Sequence, residues 1–174
     1  LAHAEPGARY DLHGIATKAA PSGDGYVING AKGMVLNAAG ADRIIIPART
    51  SGDRSDKSGI SLFLVNGDAP GLSRHDYKTY DGGRASELEL TDVAVSDADL
   101  IGALDQGHDA LEEIMDHGLA ALCAEAVGVM EVLFEATLEY LKTRKQFGRA
   151  IGEFQALQHR MSDMYMSLEN ARSM

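Results

Sequence analysis

"KTRKQFGRAIGEFQALQHRMSDM", residues 142–164, joins two stretches of helical periodicity and therefore decides how the chain is organised. Before it, apolar residues recur at helical spacing from about residue 105 onward, for about ten turns. Gly148 is expected to break this first helix, and a second helix is expected to begin near Gly152. The apolar stripe of the second helix consists of Phe154, Leu157, Met161, Met164 and Leu168.

These two long antiparallel helices form only part of a bundle. Two helices bury a single seam, whereas a bundle normally has about four. The missing partners are expected from sequence outside this chain or from another subunit. The abrupt start at Leu1 also suggests a piece of a longer polypeptide. Gly118 and Gly128 in the first helix predict a close helix approach, because glycine there otherwise costs about 1 kcal/mol.

The first hundred residues have the pattern of β structure. "DRIIIPART" (42–50) and "GISLFLV" (59–65) are β-branched or aromatic runs of strand length, separated by a polar loop over 51–59. Asn29-Gly30 predicts a hairpin turn. The alternation in 85–95 slips between 90 and 93, which predicts a bulge. The sequence therefore predicts an α+β chain, with a small antiparallel β-barrel or sandwich over 1–102 and a truncated helical domain over 103–174.

Composition excludes several classes of protein. The 26 acidic and 16 basic residues give a formal net charge of -10, which argues against nucleic-acid binding. No apolar run approaches the roughly 20 residues that span a bilayer. The single cysteine, Cys123, lies in an apolar helical stretch and predicts a packing role and a cytoplasmic location.

The basic residues of 142–149, which are Lys142, Arg144, Lys145 and Arg149, have two interpretations. They could complement the dipole at the end of the first helix. Alternatively, Arg144 could bind phosphate oxygens beside the free N–H groups that begin the second helix. Phe147 could then lie against a flat heterocycle, so a cofactor that contains pyrophosphate would use both features.

Other kinds of site find little support in the sequence. The six histidines show no metal-ligand spacing, and no serine-hydrolase elbow is present. Glu112, Glu113 and Asp116 lie within about one helical turn, where they could exchange a proton or simply form a solvated face.

At residue 140 onward, "YLKTRKQFGRAIGEFQALQHRMSDM" resembles the acyl-CoA dehydrogenase family, in which Arg-x-x-Phe-Gly leads into Phe-Gln and Asp-Met. "AEPGARYDL", "GYVINGAKGMVLNAAGAD" and "LTDVAVSDADLIG" resemble further blocks of that family in the same order. The sequence of residues 121–148 is similar to that of the small-subunit type associated with pimeloyl-CoA dehydrogenase.

The resemblance implies the middle β domain and the first part of the C-terminal helical domain of a FAD enzyme. By position, Arg144 would bind the FAD pyrophosphate of a neighbouring subunit, and Gln146 and Phe147 would lie beside its adenosine end. The remaining residues of the implied contact are Ile151, Phe154 and Leu157. No metal is implied.

Several positions depart from the family pattern. Ala4 and Arg9 replace a usual Thr and Gly, and Leu119 replaces a usual Arg. Met34 occupies the position where the family often has a Trp that packs on the flavin ring. Leu36 occupies the position where the family has a hydroxyl that contacts flavin N5. A leucine side chain cannot donate that hydrogen bond.

The catalytic base stays unknown. In most members of the family it lies in sequence that this chain does not contain, and in a minority it occupies the position of Gly118. Asp116 matches the family and could contact the CoA arm.

Two functional hypotheses follow. The chain is either part of a flavin-dependent acyl-CoA dehydrogenase subunit or a non-catalytic companion that completes a partner's FAD site. A β module that binds partners without flavin is a third, weaker alternative. The implied partners are an acyl-CoA substrate, another acyl-CoA dehydrogenase subunit in a homo- or heterotetramer, and electron-transfer flavoprotein or a similar acceptor.

Overall fold

The computed structural model describes residues 1–8 and 10–174, which divide into two units, Leu1–Ile114 and Met115–Met174. Arg9, named above as a departure from the family pattern, lies outside the described residues. The α+β class is confirmed. The predicted boundary between residues 102 and 103 stays a prediction.

The first unit contains a seven-stranded sheet in the order β5-β6-β2-β1-β3-β4-β7. All neighbours pair antiparallel except β1 and β3, which pair in parallel at Lys18 and Arg49. Within the described residues the edge strands β5 and β7 do not pair, so the sheet is mixed and open and not the closed barrel that was one of the predicted forms. The strands are β1 (Lys18–Ser22), β2 (Gly25–Leu36), β3 (Arg43–Arg49), β4 (Ile60–Asn66), β5 (Leu72–Lys78), β6 (Arg84–Ser96) and β7 (Leu100–Ile101).

The runs at 42–50 and 59–65 form β3 and β4, as predicted, because their β-branched and aromatic side chains pack into the core. The predicted bulge is also present, since the β2–β6 register shifts between the pairs Ile28–Val93 and Gly30–Leu90. A second, smaller apolar cluster includes Leu111 from the start of the following helix.

The predicted turn at Asn29-Gly30 is wrong, because both residues lie inside β2. The hairpin turn is Gly23-Asp24 instead, which joins Ser22 to Gly25. Gly30 is required for a different reason: a Cβ there would lie 2.5 Å from the hydroxyl oxygen of Thr17.

The long helix α1 (Gly107–Thr143) is followed by two short strands, β8 (Lys145–Gln146) and β9 (Arg149–Ala150), and by helix α2 (Gln155–Ser173). In the second unit α1 and α2 pack antiparallel, with the rings of Phe134 and Tyr165 5.8 Å apart and Arg172 paired with Glu131. α2 begins later than predicted, because Ile151–Glu153 forms a 3-10 turn.

Much of the apolar surface of α1 is exposed, including Leu119, Leu122 and Val132, as expected of two helices taken from a larger bundle. Cys123 is also exposed on α1, so the packing role expected of it stays a prediction. A Cβ at Gly118 or Gly128 would meet nothing within 4 Å, so the described residues contain no close helix approach there. Among the described residues, no helix combines the length and hydrophobicity needed to cross a membrane.

Candidate functional site

The basic turn folds as a short β-hairpin between the two helices. Lys145 pairs with Ala150 and Gln146 with Arg149, and the two turn residues, Phe147 and Gly148, have φ angles of 55° and 81°. Two positive φ angles fit the tight turn that a two-residue hairpin requires, and glycine adopts one of them without strain. This hairpin was not predicted.

Arg144 lies at the base of the hairpin and is held there by its backbone. Its N–H donates to the Tyr140 carbonyl at 2.9 Å, and its carbonyl accepts from the Ile151 N–H at 2.9 Å. Its side chain is exposed, and no hydrogen bond or ion pair to it occurs within the part of the chain that the structure describes. A planar guanidinium with its donors unused is suited to a bidentate anion such as phosphate.

Two aromatic rings pack together at the hairpin and the start of α2. The Phe147 side chain is 90% exposed, and its ring meets the Phe154 ring edge-on at 6.1 Å. Arg149 covers the Phe154 ring, with its guanidinium carbon 4.2 Å from the ring centroid. The hairpin thus presents a flat apolar ring next to several positive charges.

The other residues predicted for this contact lie close by in the same unit. Gln146 is exposed on the hairpin, while Ile151 and Leu157 are half-buried. The Leu157 N–H donates to the Phe154 carbonyl at 2.9 Å in the first turn of α2. The six predicted positions from Arg144 to Leu157 therefore lie in one local segment of the second unit. Of the four basic residues, Lys142 lies in the last turn of α1 and Arg144 follows directly at the helix end, so the helix-dipole interpretation stays open for both.

Met34 and Leu36 belong to the first unit, where both are 64% exposed on β2. A register irregularity between Lys32 and Val35 places Met34 at a positive φ of 49°. The Met34 N–H donates to the Glu87 carboxylate at 3.2 Å. The two side chains form an apolar surface without a hydrogen-bond donor, as the sequence predicted.

Directly before this bulge lies a buried ion pair that was not predicted from the sequence. Lys32 Nζ lies 2.6 Å from Glu5 Oε1, and the relative exposures of the two side chains are 0% and 3%. Burial raises the pKa of Glu5, but the charge of Lys32 and the hydrogen bonds to the carboxylate outweigh it, so the pKa lies below its ordinary value. Burial lowers the pKa of Lys32 to about 8, against the opposing charge of Glu5. The one feature of the sequence that could have predicted this pair is Lys32 itself, a lysine within the alternating apolar residues of 25–36.

The acidic start of α1 forms a third cluster. Ligand atoms of His108, Asp109 and Glu112 lie within 4.8 Å of one another, although the sequence spacing had indicated no metal site. The Glu112 carboxylate also lies 3.5 Å from Lys57 Nζ and 3.7 Å from His108 Nδ1. Glu113 and Asp116 are exposed, as expected of a solvated helix face.

Two family models match the chain. The model described as acyl-CoA dehydrogenase, middle domain, matches residues 1–93, which is more than half of this chain. The chain belongs to the acyl-CoA dehydrogenase family. The C-terminal domain model of the same family matches residues 105–174.

Individual relatives of this acyl-CoA dehydrogenase chain agree with the family models. It is 39% identical over 173 residues to the probable acyl-CoA dehydrogenase YngJ of Bacillus subtilis, covering 98% of this chain and 46% of the relative. It is 32% identical to the caffeyl-CoA reductase-Etf complex subunit CarC of Acetobacterium woodii, covering 97% of this chain and 45% of the relative. The solved FAD complex of PigA superposes with a TM-score of 0.92 at 36% identity, covering 98% of this chain and 45% of that one. The chain spans about half the length of the curated relatives it matches.

Proposed function

We propose that this chain is the middle β domain (1–102) and the first part of the C-terminal helical domain (103–174) of a flavin-dependent acyl-CoA dehydrogenase subunit. The two family models support this assignment. When bound, FAD supplies the hydride acceptor for α,β-dehydrogenation of an acyl-CoA thioester. The kinship with the small-subunit type stays a prediction.

The observation that carries the proposal is the Arg144 hairpin. A guanidinium without a partner among the described residues fits a diphosphate, and the exposed ring of Phe147 fits a flat base beside it. We assign Arg144 to the FAD pyrophosphate, Gln146 and Phe147 to the adenosine end, and Ile151, Phe154 and Leu157 to the apolar lining. The FAD complex of a neighbour with a TM-score of 0.92 supports the choice of cofactor. By family resemblance this FAD belongs to a neighbouring subunit.

Met34 and Leu36 are assigned to the ring system of this subunit's own flavin. Their exposed apolar side chains fit packing on a flat ring, but neither can donate a hydrogen bond to it. Gly118, at the position of the base in a minority of the family, carries no carboxylate. These features favour a second candidate function, a companion subunit that completes the FAD site of a partner without turning over substrate itself.

The partners follow from the same assignment. We propose an acyl-CoA substrate, a second acyl-CoA dehydrogenase subunit in a homo- or heterotetramer, and an electron-transfer flavoprotein or similar acceptor. The relative from an Etf complex supports the acceptor. The cytoplasm is the proposed compartment, because the exposed thiol of Cys123 suits a reducing environment.

The test is to count flavin in the full-length protein, purified alone and with a co-expressed related subunit. One FAD per chain, with bleaching of the flavin absorbance on anaerobic addition of acyl-CoA, is expected of a dehydrogenase subunit. One FAD per two chains is expected of the companion. A preparation free of flavin in both cases contradicts the proposal.

A further inference from the structure

The Glu5–Lys32 pair has more polar partners than a simple ion pair needs. Glu5 Oε2 accepts from the Ala16 N–H at 2.6 Å, and Oε1 accepts from the Thr17 N–H at 3.1 Å and from Lys32 Nζ at 2.6 Å. The carboxylate thus joins three segments of the first unit: the N-terminal stretch, the entry to β1, and β2. A buried pair of this kind is weak evidence for stability, because its desolvation opposes its attraction.

The pair lies directly beside the β2 bulge. Gly33, the residue after Lys32, donates its N–H to the Ala4 carbonyl at 2.8 Å, so the Ala4-Glu5 segment holds β2 by a side chain and by a main-chain bond. Met34 at the bulge is fixed from the other side by Glu87, whose carboxylate also accepts from the Tyr77 hydroxyl at 2.8 Å. Val35 is buried, while Met34 and Leu36 are exposed. The bulge thereby sends two apolar side chains out of the sheet.

We propose that Glu5 and Lys32 are positioning residues, which hold the β2 bulge so that Met34 and Leu36 present a fixed surface to the flavin ring. The bulge leaves part of the strand without regular ladder bonds, so its conformation depends on groups outside the ladder. A buried charge pair that must meet both partners admits few alternative registers. The ligand in this proposal rests on the proposed function, whereas the bulge geometry does not.

The first test is residue-resolved hydrogen exchange on the full-length protein and on three variants, Glu5→Gln, Lys32→Met and the double variant. The matched control is Lys18→Met, which removes an exposed lysine from the adjacent strand β1. We expect the amides of Gly33 and Met34 to exchange roughly tenfold faster in the three variants, with β3 and β4 unchanged. The double variant should regain thermal stability relative to Lys32→Met, because it leaves no buried charge unpaired.

The second test measures FAD affinity and the shape of the visible flavin bands in the same proteins. We expect about tenfold weaker binding and altered bands in the double variant, at a stability close to wild type, and no change in Lys18→Met. Unchanged exchange at Gly33 and Met34 overturns the proposal, and so does an unchanged flavin spectrum. Failure of both the isosteric Glu5→Gln and the double variant to fold also overturns it, since the pair would then support the whole unit. A wild-type protein without flavin contradicts the proposed function alone, because hydrogen exchange still decides the role of the pair.

Discussion

The guanidinium carbon of Arg149 lies 4.2 Å from the centroid of the Phe154 ring, and so joins the β8–β9 hairpin to the start of α2. The ring of Phe147 meets the same ring edge-on at the hairpin tip. The surface proposed to meet the cofactor is therefore braced by contacts within this chain. Arg144, by contrast, keeps its side-chain donors available.

This brace predicts a measurable coupling between Arg149 and Phe154. We expect Arg149→Ala and Phe154→Leu, made singly and together, to show a coupling of about 0.5 kcal/mol in the free energy of unfolding, the usual value for an exposed cation–π contact. Urea titration measures it. Arg160→Ala, combined with Phe154→Leu, is the control cycle, because Arg160 pairs with Asp163 on α2 instead. A coupling no larger than that of the control contradicts the contact.

The buried Lys32 predicts a pH dependence of stability. Its pKa is lowered to about 8 by burial, whereas the unfolded chain keeps this proton up to its ordinary value of 10.5. Between these values the unfolded state binds more protons, so the contribution of Lys32 to the free energy of unfolding rises with pH. We therefore compare the free energy of unfolding of the wild type with that of Lys32→Met. The difference between the two should change by about 2 kcal/mol in favour of the wild type as the pH rises from 7.5 to 10. Parallel curves for the two proteins would show that Lys32 keeps an ordinary pKa.

Gly30 predicts a large steric effect of one methyl group. The added Cβ of Gly30→Ala would lie 2.5 Å from Thr17 Oγ1 and 2.7 Å from Thr17 Cα, so β2 and the residue directly before β1 must move apart. We expect a loss of about 1–3 kcal/mol in the free energy of unfolding, as is typical of overpacking. Gly40→Ala is the control, because a Cβ there meets nothing within 4 Å. Equal stabilities of the two variants would refute the close approach.

Periodicity predicted the parts of the fold that depend on burial. Strands β3 and β4 follow from their apolar runs, because burial of those side chains in the core determines the conformation. The helices α1 and α2 follow from apolar residues at helical spacing. The turn predicted at Asn29-Gly30 did not form, because pairing of β2 with β1 and β6 outweighed the local turn preference of these residues. A glycine required for close approach looks the same in sequence as one required for a turn.

The candidate cofactor site could be predicted from the sequence less completely than the fold. The resemblance led to the Arg144 turn, but no pattern indicated a hairpin of two-residue strands, since strands that short carry no periodicity. The Glu5–Lys32 pair joins residues 27 positions apart and forms only when the bulge and the N-terminal segment meet. Such long-range polar partners cannot be read from spacing along the chain.

The most direct test of the account is FAD retention by the full-length assembly after Arg144→Ala, with Arg160→Ala as the control of equal charge. We predict that Arg144→Ala weakens FAD binding roughly tenfold or more, because a hydrogen bond to a charged group is worth about 1.5–3 kcal/mol. Arg160→Ala is predicted to keep the wild-type flavin content. Wild-type FAD affinity in Arg144→Ala would contradict the claim that this guanidinium binds the diphosphate of the cofactor.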